Sequence, residues 1–279
     1  MTSLAKSLGV VRGTGLMLNI VVGAGLLALP GLAVEAAGAQ ALWSWLACAL
    51  AALPLLVVCI IMGRRYPDAG GVAHFARTAF GETGYLATSL IFLGAVVFGL
   101  PAIALTGGHY IAAMAGGSPP HYAAGIIIAA AAVNMLSPDL AGRVSTFAAS
   151  LILVALTGLV AAGLSGVEWS ALEGRIAAPA ELEAALVMAP FMMIFFAFTG
   201  WEVAAGLSEE FRNPRRDFPR AMLLSFAIAV ALYVAMGVIV QAGDGGTPEA
   251  PLSASPDRCS APPAASPSAH WPPSSSWPI

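Results

Sequence analysis

The sequence predicts an all-α integral membrane protein of about seven transmembrane helices, two of them interrupted near mid-depth. Three observations predict it. The chain is 58% hydrophobic and only 10% charged, whereas soluble domains carry about 25% charged residues. Its charges fall in short stretches that bound long uncharged runs. Two of those runs, five helices apart, carry a glycine break.

The uncharged runs locate the spans. Residues 13–34, 36–63, 83–138, 144–167, 184–201 and 221–243 contain no Asp, Glu, Lys or Arg. A spanning helix needs about 20 apolar residues, so 83–138 holds two, separated at "AGGSPPHY" (115–122). The expected spans are 13–36, 40–63, 84–114, 121–137, 144–166, 185–207 and 220–242. Lys6, Arg12 and "AVEAAGA" imitate a signal peptide, but the apolar stretch exceeds the usual 7–15 residues of such a segment, and a second span follows at once.

Orientation follows from the basic residues. With the N-terminus in the cytoplasm, the cytoplasmic segments hold Lys6, Arg12, Arg64, Arg65, Arg77, Arg143, Arg212, Arg215, Arg216 and Arg220; the outer loops hold Arg175 alone, and the tail holds Arg258. This is a strong positive-inside bias. It predicts cytoplasmic placement of the Arg64–Gly81 loop and external placement of Glu168–Glu183. The net charge of −3 is segregated by side and gives no reason to expect nucleic acid.

Little else in the chain reads as chemistry. Cys48, Cys59 and Cys259 form no C-x-x-C pair, and Cys48 and Cys59 read as small apolar packing residues. His74, His109 and His121 are too scattered for a metal site. Glycine runs such as "GLVAAG" (158–163) let helices approach closely. No cofactor, metal or nucleophile–base constellation points to an enzyme.

The first break lies in "NIVVGAGLLALPG" (19–31), with Gly23, Gly25, Pro30 and Gly31. The second lies in "APFMMIFFAFTGWEVAAGLSEE" (189–210), with Thr199-Gly200 before Trp201 and Glu202. Glycine and proline weaken a helix, and lipid cannot satisfy freed backbone groups. Transporters built from five-helix inverted repeats place broken helices at corresponding positions, with the substrate between them. A zwitterionic amino acid fits both sets of freed groups. Its carboxylate accepts from N–H groups at the start of a second half-helix, and its ammonium donates to carbonyls ending the first. Glu202 is either a proton carrier, an acceptor for the broken backbone, or a carboxylate solvated at the inner interface.

"FFAFTGWEVAAGLSEEFRNPRRDFPRAMLLS" (195–225) resembles the sixth-helix signature of the amino acid–polyamine–organocation transporters. "GRRYPDAGGVAHFARTAFGE" (63–82) is similar to the loop after their second helix, in wording closest to the bacterial inner-membrane exporters of methionine and branched-chain amino acids, and "VVGAGLLALP" fits the first-helix break. The resemblance covers about residues 5–242. It implies the LeuT-like five-plus-five inverted repeat and alternating-access transport of apolar amino acids (methionine, leucine, isoleucine, valine), with protons or exchange as the coupling. It also implies the bacterial inner membrane as location.

Position by position, it makes Gly23, Ala24 and Gly25 first-helix backbone ligands, with Val22 beside them. Phe196 becomes a gate aromatic, Thr199 and Gly200 the sixth-helix backbone site, Phe198 and Trp201 pocket residues, and Glu202 the family's sixth-helix carboxylate, the candidate for proton coupling. In the loop, Asn213-Pro214 starts a turn and Pro219 suits the first turn of the next helix.

The chain departs from the family in three ways. The fifth span lacks the lysine some relatives carry. The second repeat is represented by its first two helices. From Gly243 the composition changes, and residues 251–279 hold eight Pro and eight Ser, which predicts a disordered tail. The expected division is therefore a permease domain at 1–242 and a tail at 243–279, the tail reading either as a frame shift or truncation or as a genuine stalk or binding tail. The alternative function is a transport-inactive remnant, or a partial subunit completed by another chain, including a second copy of itself.

Overall fold

The computed structural model describes residues 8–22, 25–135, 138–167, 169–172 and 174–243. Among them are ten α-helices, four short 3-10 turns and no strand. The expected tail, apart from Gly243, lies outside the described residues, as do Gly23 and Ala24 of the first break.

Helices cover all seven expected spans. The first span is α1 (Val10–Val21) followed by α2 (Gly25–Ala37), and the second is α3 (Ala41–Arg65). α4 (Gly71–Ala115), α5 (Pro119–Asn134) and α6 (Pro138–Ser165) follow. The sixth span is divided into α7 (Ala184–Met188), α8 (Phe191–Ala197), α9 (Trp201–Ala204) and a 3-10 turn over Ala205–Glu210; α10 (Asp217–Ala242) is the last. Among the described residues four stretches are long and apolar enough to cross a membrane, namely Gly25–Arg65, Gly71–Ala115, Phe191–Glu210 and Asp217–Ala242. Val10–Val21 is a shorter apolar helix, as half of an interrupted span must be.

The differences from the sequence reading lie at the connections. The segment expected as an Arg64–Gly81 loop is already helical from Gly71, and it meets the third span at a non-helical Gly81 (φ +71°). α5 starts earlier than expected because Pro119 and Pro120 occupy its first turn, where a missing N–H costs nothing. Arg64 and Arg65 end α3, where cations suit the helix dipole.

α10 is the centre of packing, touching α1, α2, α3 and α6. Its Tyr233 stacks on Trp45 of α3 at 5.2 Å and meets Phe198 edge-on at 5.3 Å, while Phe226 lies 5.5 Å from Trp201. Each such pair contributes about 0.5–1.5 kcal/mol beyond its burial. α4 and α5 form a second pair, tied to α2 where the Tyr110 hydroxyl donates to Leu27 O at 2.7 Å. The outer face of α4 exposes Leu90, Ile91 and Phe98, as a lipid-facing helix does.

Two ends are distinct. At one, Ala177 N and the Gln241 side chain donate to Ala39 O, and Arg175 donates to Ala242 O at 2.9 Å, supplying a cation to the end of α10. At the other, Leu8 pairs with the chain at Phe211, and Ala69 N donates to the Glu209 carboxylate at 3.0 Å.

Candidate substrate site between two helix breaks

Both interrupted helices come apart at the same place. α1 ends at Val21, and Val22 is extended (φ −81°, ψ 101°) before α2 begins at Gly25. α8 ends at Ala197, and Gly200 takes φ +110°, ψ −18° before Trp201 opens α9. That left-handed conformation costs an L-residue about 1–2 kcal/mol, so glycine suits this position. The breaks abut through their glycines. A Cβ on Gly200 would lie 3.2 Å from Val21 Cγ2, and one on Gly25 would lie 3.2 Å from Ala197 Cβ.

A cavity of about 270 Å³ opens beside this crossing. Its floor is Ile20, Val21 and Gly25 on one side and Ala197, Thr199 and Gly200 on the other. Phe92, Val96, Leu100 and Ile103 of α4 form an apolar wall, with Phe196 and Val203 at the rim. Glu202 and Tyr233 supply its ionisable and hydroxyl groups.

The freed backbone is only partly satisfied by protein. Thr199 N and its hydroxyl both donate to Phe196 O, at 3.1 and 2.7 Å. Both oxygens of the Glu202 carboxylate accept from Gly200 N at 2.9 Å. The Tyr233 hydroxyl lies 3.1 Å from Val21 O and 3.0 Å from Ala197 O. One hydroxyl carries one proton, so the two carbonyls share a donor and retain accepting capacity. The first N–H groups of α2 have no acceptor within their own helix. The site thus presents donors, acceptors and an apolar wall together.

Of the residues expected from sequence, Gly25, Phe196, Thr199, Gly200 and Glu202 line this cavity. Val22, Phe198 and Trp201 are buried in the packed interior instead; Phe198 and Trp201 are turned toward the aromatic cluster of α3 and α10. Gly23 and Ala24 lie outside the described residues. The sequence reading missed Tyr233 and the α4 wall. A lone tyrosine within an apolar span was the available signal, because a buried hydroxyl needs a partner.

A multi-pass helical membrane protein with two broken helices meeting at one cavity has the architecture of a membrane permease. Residues 8–247 match the amino acid permease family, and the chain belongs to that family. The L-methionine/branched-chain amino acid exporter YjeH of Escherichia coli is 33% identical over 247 residues, covering 86% of this chain and 57% of the relative. The uncharacterized amino acid permease YecA of Bacillus subtilis is 29% identical, covering 85% and 55%. Human cationic amino acid transporter 4 is 30% identical, covering 86% and 41%. The chain spans about half the length of the curated relatives it matches. These relatives are named as transporters or permeases, and the chain is not an enzyme.

Proposed function

We propose that the cavity binds a zwitterionic amino acid with an apolar side chain, and that the chain acts in its export or exchange by alternating access. The observation carrying this reading is the abutment of the two breaks at one cavity. Donors at the start of α2 suit a carboxylate, and the shared carbonyls Val21 O and Ala197 O suit an ammonium. The wall of Phe92, Val96, Leu100 and Ile103 suits methionine, leucine, isoleucine or valine, in keeping with the name of the Escherichia coli relative. Glu202 is the group we assign to proton coupling. The location we propose is the bacterial inner membrane, with a cytoplasmic N-terminus, a permease domain over 1–242 and a tail over 243–279.

The test is binding and uptake of labelled methionine and leucine by the purified chain in vesicles, under a proton gradient and under exchange. Gly25→Val and Gly200→Val place a branched side chain where the breaks touch, and both are expected to abolish binding while the protein stays inserted. Unchanged binding in both variants refutes the site.

A second reading is favoured by the outer face of the second broken helix, where Met192, Phe196 and Val203 are exposed. Further polypeptide, another chain or a second copy, would then complete the cavity wall, and the chain alone would be transport-inactive. Saturable uptake by the homogeneous chain decides against it.

A further inference from the structure

Away from the cavity, four arginines from distant parts of the sequence converge on one spot. Arg64 and Arg65 close α3. Arg215 and Arg216 belong to the turn before α10, which is fixed by Arg216 N and Asp217 N donating to Asn213 O at 3.0 and 2.8 Å. The two segments are held together beneath the surface. A Cβ on Gly63 would lie 2.6 Å from the Phe218 ring, and Phe218 meets Phe211 edge-on at 5.7 Å. A cavity of about 440 Å³ lies between Arg64, Arg65, Arg215 and Arg216, floored by Pro67 and Pro214. A neighbouring cavity of about 350 Å³ shares Arg64, Arg65 and Arg215 and continues onto Ile60 and Ile61.

Among the described residues no carboxylate lies within ion-pair distance of these four arginines, the ion pairs there being His74–Asp68 and Arg77–Glu82; Arg65 lies over the Tyr66 ring at 5.6 Å. The helix dipole and the positive-inside bias explain why basic residues sit on this surface. They do not explain why these four share a pocket, while the exposed Arg212 and Arg220 on the same surface line neither cavity. Like charges brought together repel unless an anion sits between them. Guanidinium groups bind phosphate oxygens in pairs.

The apolar side of the site identifies the source of the phosphate. From Ile61 an exposed stripe continues along α3 through Val58, Val57 and Leu50. A soluble anion has no use for that stripe, whereas acyl chains lie along it. We propose that this pocket binds an anionic glycerophospholipid, its phosphate headgroup among Arg64, Arg65, Arg215 and Arg216 and its chains along the outer face of α3. The lipid bridges the end of α3 to the turn that follows the second broken helix. This site stands whether or not the cavity takes an amino acid.

The test is native mass spectrometry of the purified full chain in detergent, titrated with phosphatidylglycerol, with phosphatidylcholine of the same acyl chains, and with inorganic phosphate. Phosphatidylglycerol is expected to be retained in preference to phosphatidylcholine. Removing Arg215 and Arg216 together (Arg215→Gln with Arg216→Gln) should weaken it by about fivefold per arginine, the effect of one basic residue near an anionic membrane surface. The matched pair Arg212→Gln with Arg220→Gln should leave it unchanged. Arg215 and Arg216 are exposed, so that variant changes no packed side chain, and removal of all four arginines serves as the stronger version. Equal weakening by the Arg212/Arg220 pair would reduce the site to general surface charge and overturn the proposal. So would displacement of the lipid by inorganic phosphate, which would make this a soluble-anion site.

Discussion

Both carboxylate oxygens of Glu202 lie 2.9 Å from the amide nitrogen of Gly200. The carboxylate therefore caps the second half of its own broken helix, at the end where an anion is most favoured. A substrate carboxylate approaching that end meets a donor already occupied. Glu202→Gln keeps the shape and one acceptor oxygen but removes the titratable group. The expected outcome is retained amino-acid binding and loss of the pH dependence of uptake, measured in vesicles from acidic to neutral pH. Unaltered pH dependence would remove Glu202 from the coupling step.

Tyr233→Phe withdraws the single proton shared by two buried carbonyls while keeping the ring on Trp45. Leaving a buried acceptor short of its partner costs about 1–3 kcal/mol. A lower unfolding midpoint in detergent and weaker amino-acid binding are expected together. A midpoint equal to that of the unaltered chain would show that the hydroxyl contributes nothing to holding the breaks.

Gly13 and Gly15 make a matched pair on α1. A Cβ on Gly13 would lie 2.2 Å from the Phe211 ring, and one on Gly15 would meet nothing within 4 Å. Valine changes helix propensity alike at both, so the difference isolates the packing. Gly13→Val is expected to cost about 1–3 kcal/mol more than Gly15→Val, the usual cost of overpacking. Thermal unfolding of the two variants checks it, and equal midpoints would disprove the contact.

Topology gives a further prediction. Ala69 and Ala180 are both exposed. In a variant lacking Cys48, Cys59 and Cys259, a cysteine at Ala180 should be labelled from outside the cell by an impermeant reagent, and one at Ala69 should not. The reverse pattern would invert the orientation.

The spans were legible because lipid excludes charge, so the uncharged runs mark them directly. The breaks were legible because glycine weakens a helix and recurs at matched positions in two spans. Tyr233 was not, because its partners Val21 and Ala197 are distant in sequence and a tyrosine in an apolar run reads as another aromatic. Nor could sequence separate Phe196 from Phe198. They sit two residues apart, and only the positions of Trp45 and Phe226 decide that Phe198 turns inward while Phe196 stays at the cavity rim. The helical start at Gly71 was hidden because "YPDAGG" reads as loop, and the helix begins immediately inside it.

The pairing of Leu8 with Phe211 has a mechanical consequence. Leu8 N donates to Glu210 O and Arg212 N donates to Leu8 O, each at 3.0 Å, while the Phe211 ring fills the notch left by Gly13. The lead-in to α1 and the far end of the second broken helix are thereby stitched into one rigid lever, with its fulcrum where Gly25 and Gly200 cross. Neither half-helix can tilt alone without tearing both main-chain links. Hydrogen exchange at the Leu8 and Arg212 amides should then report a single shared opening, one hinge event in place of two.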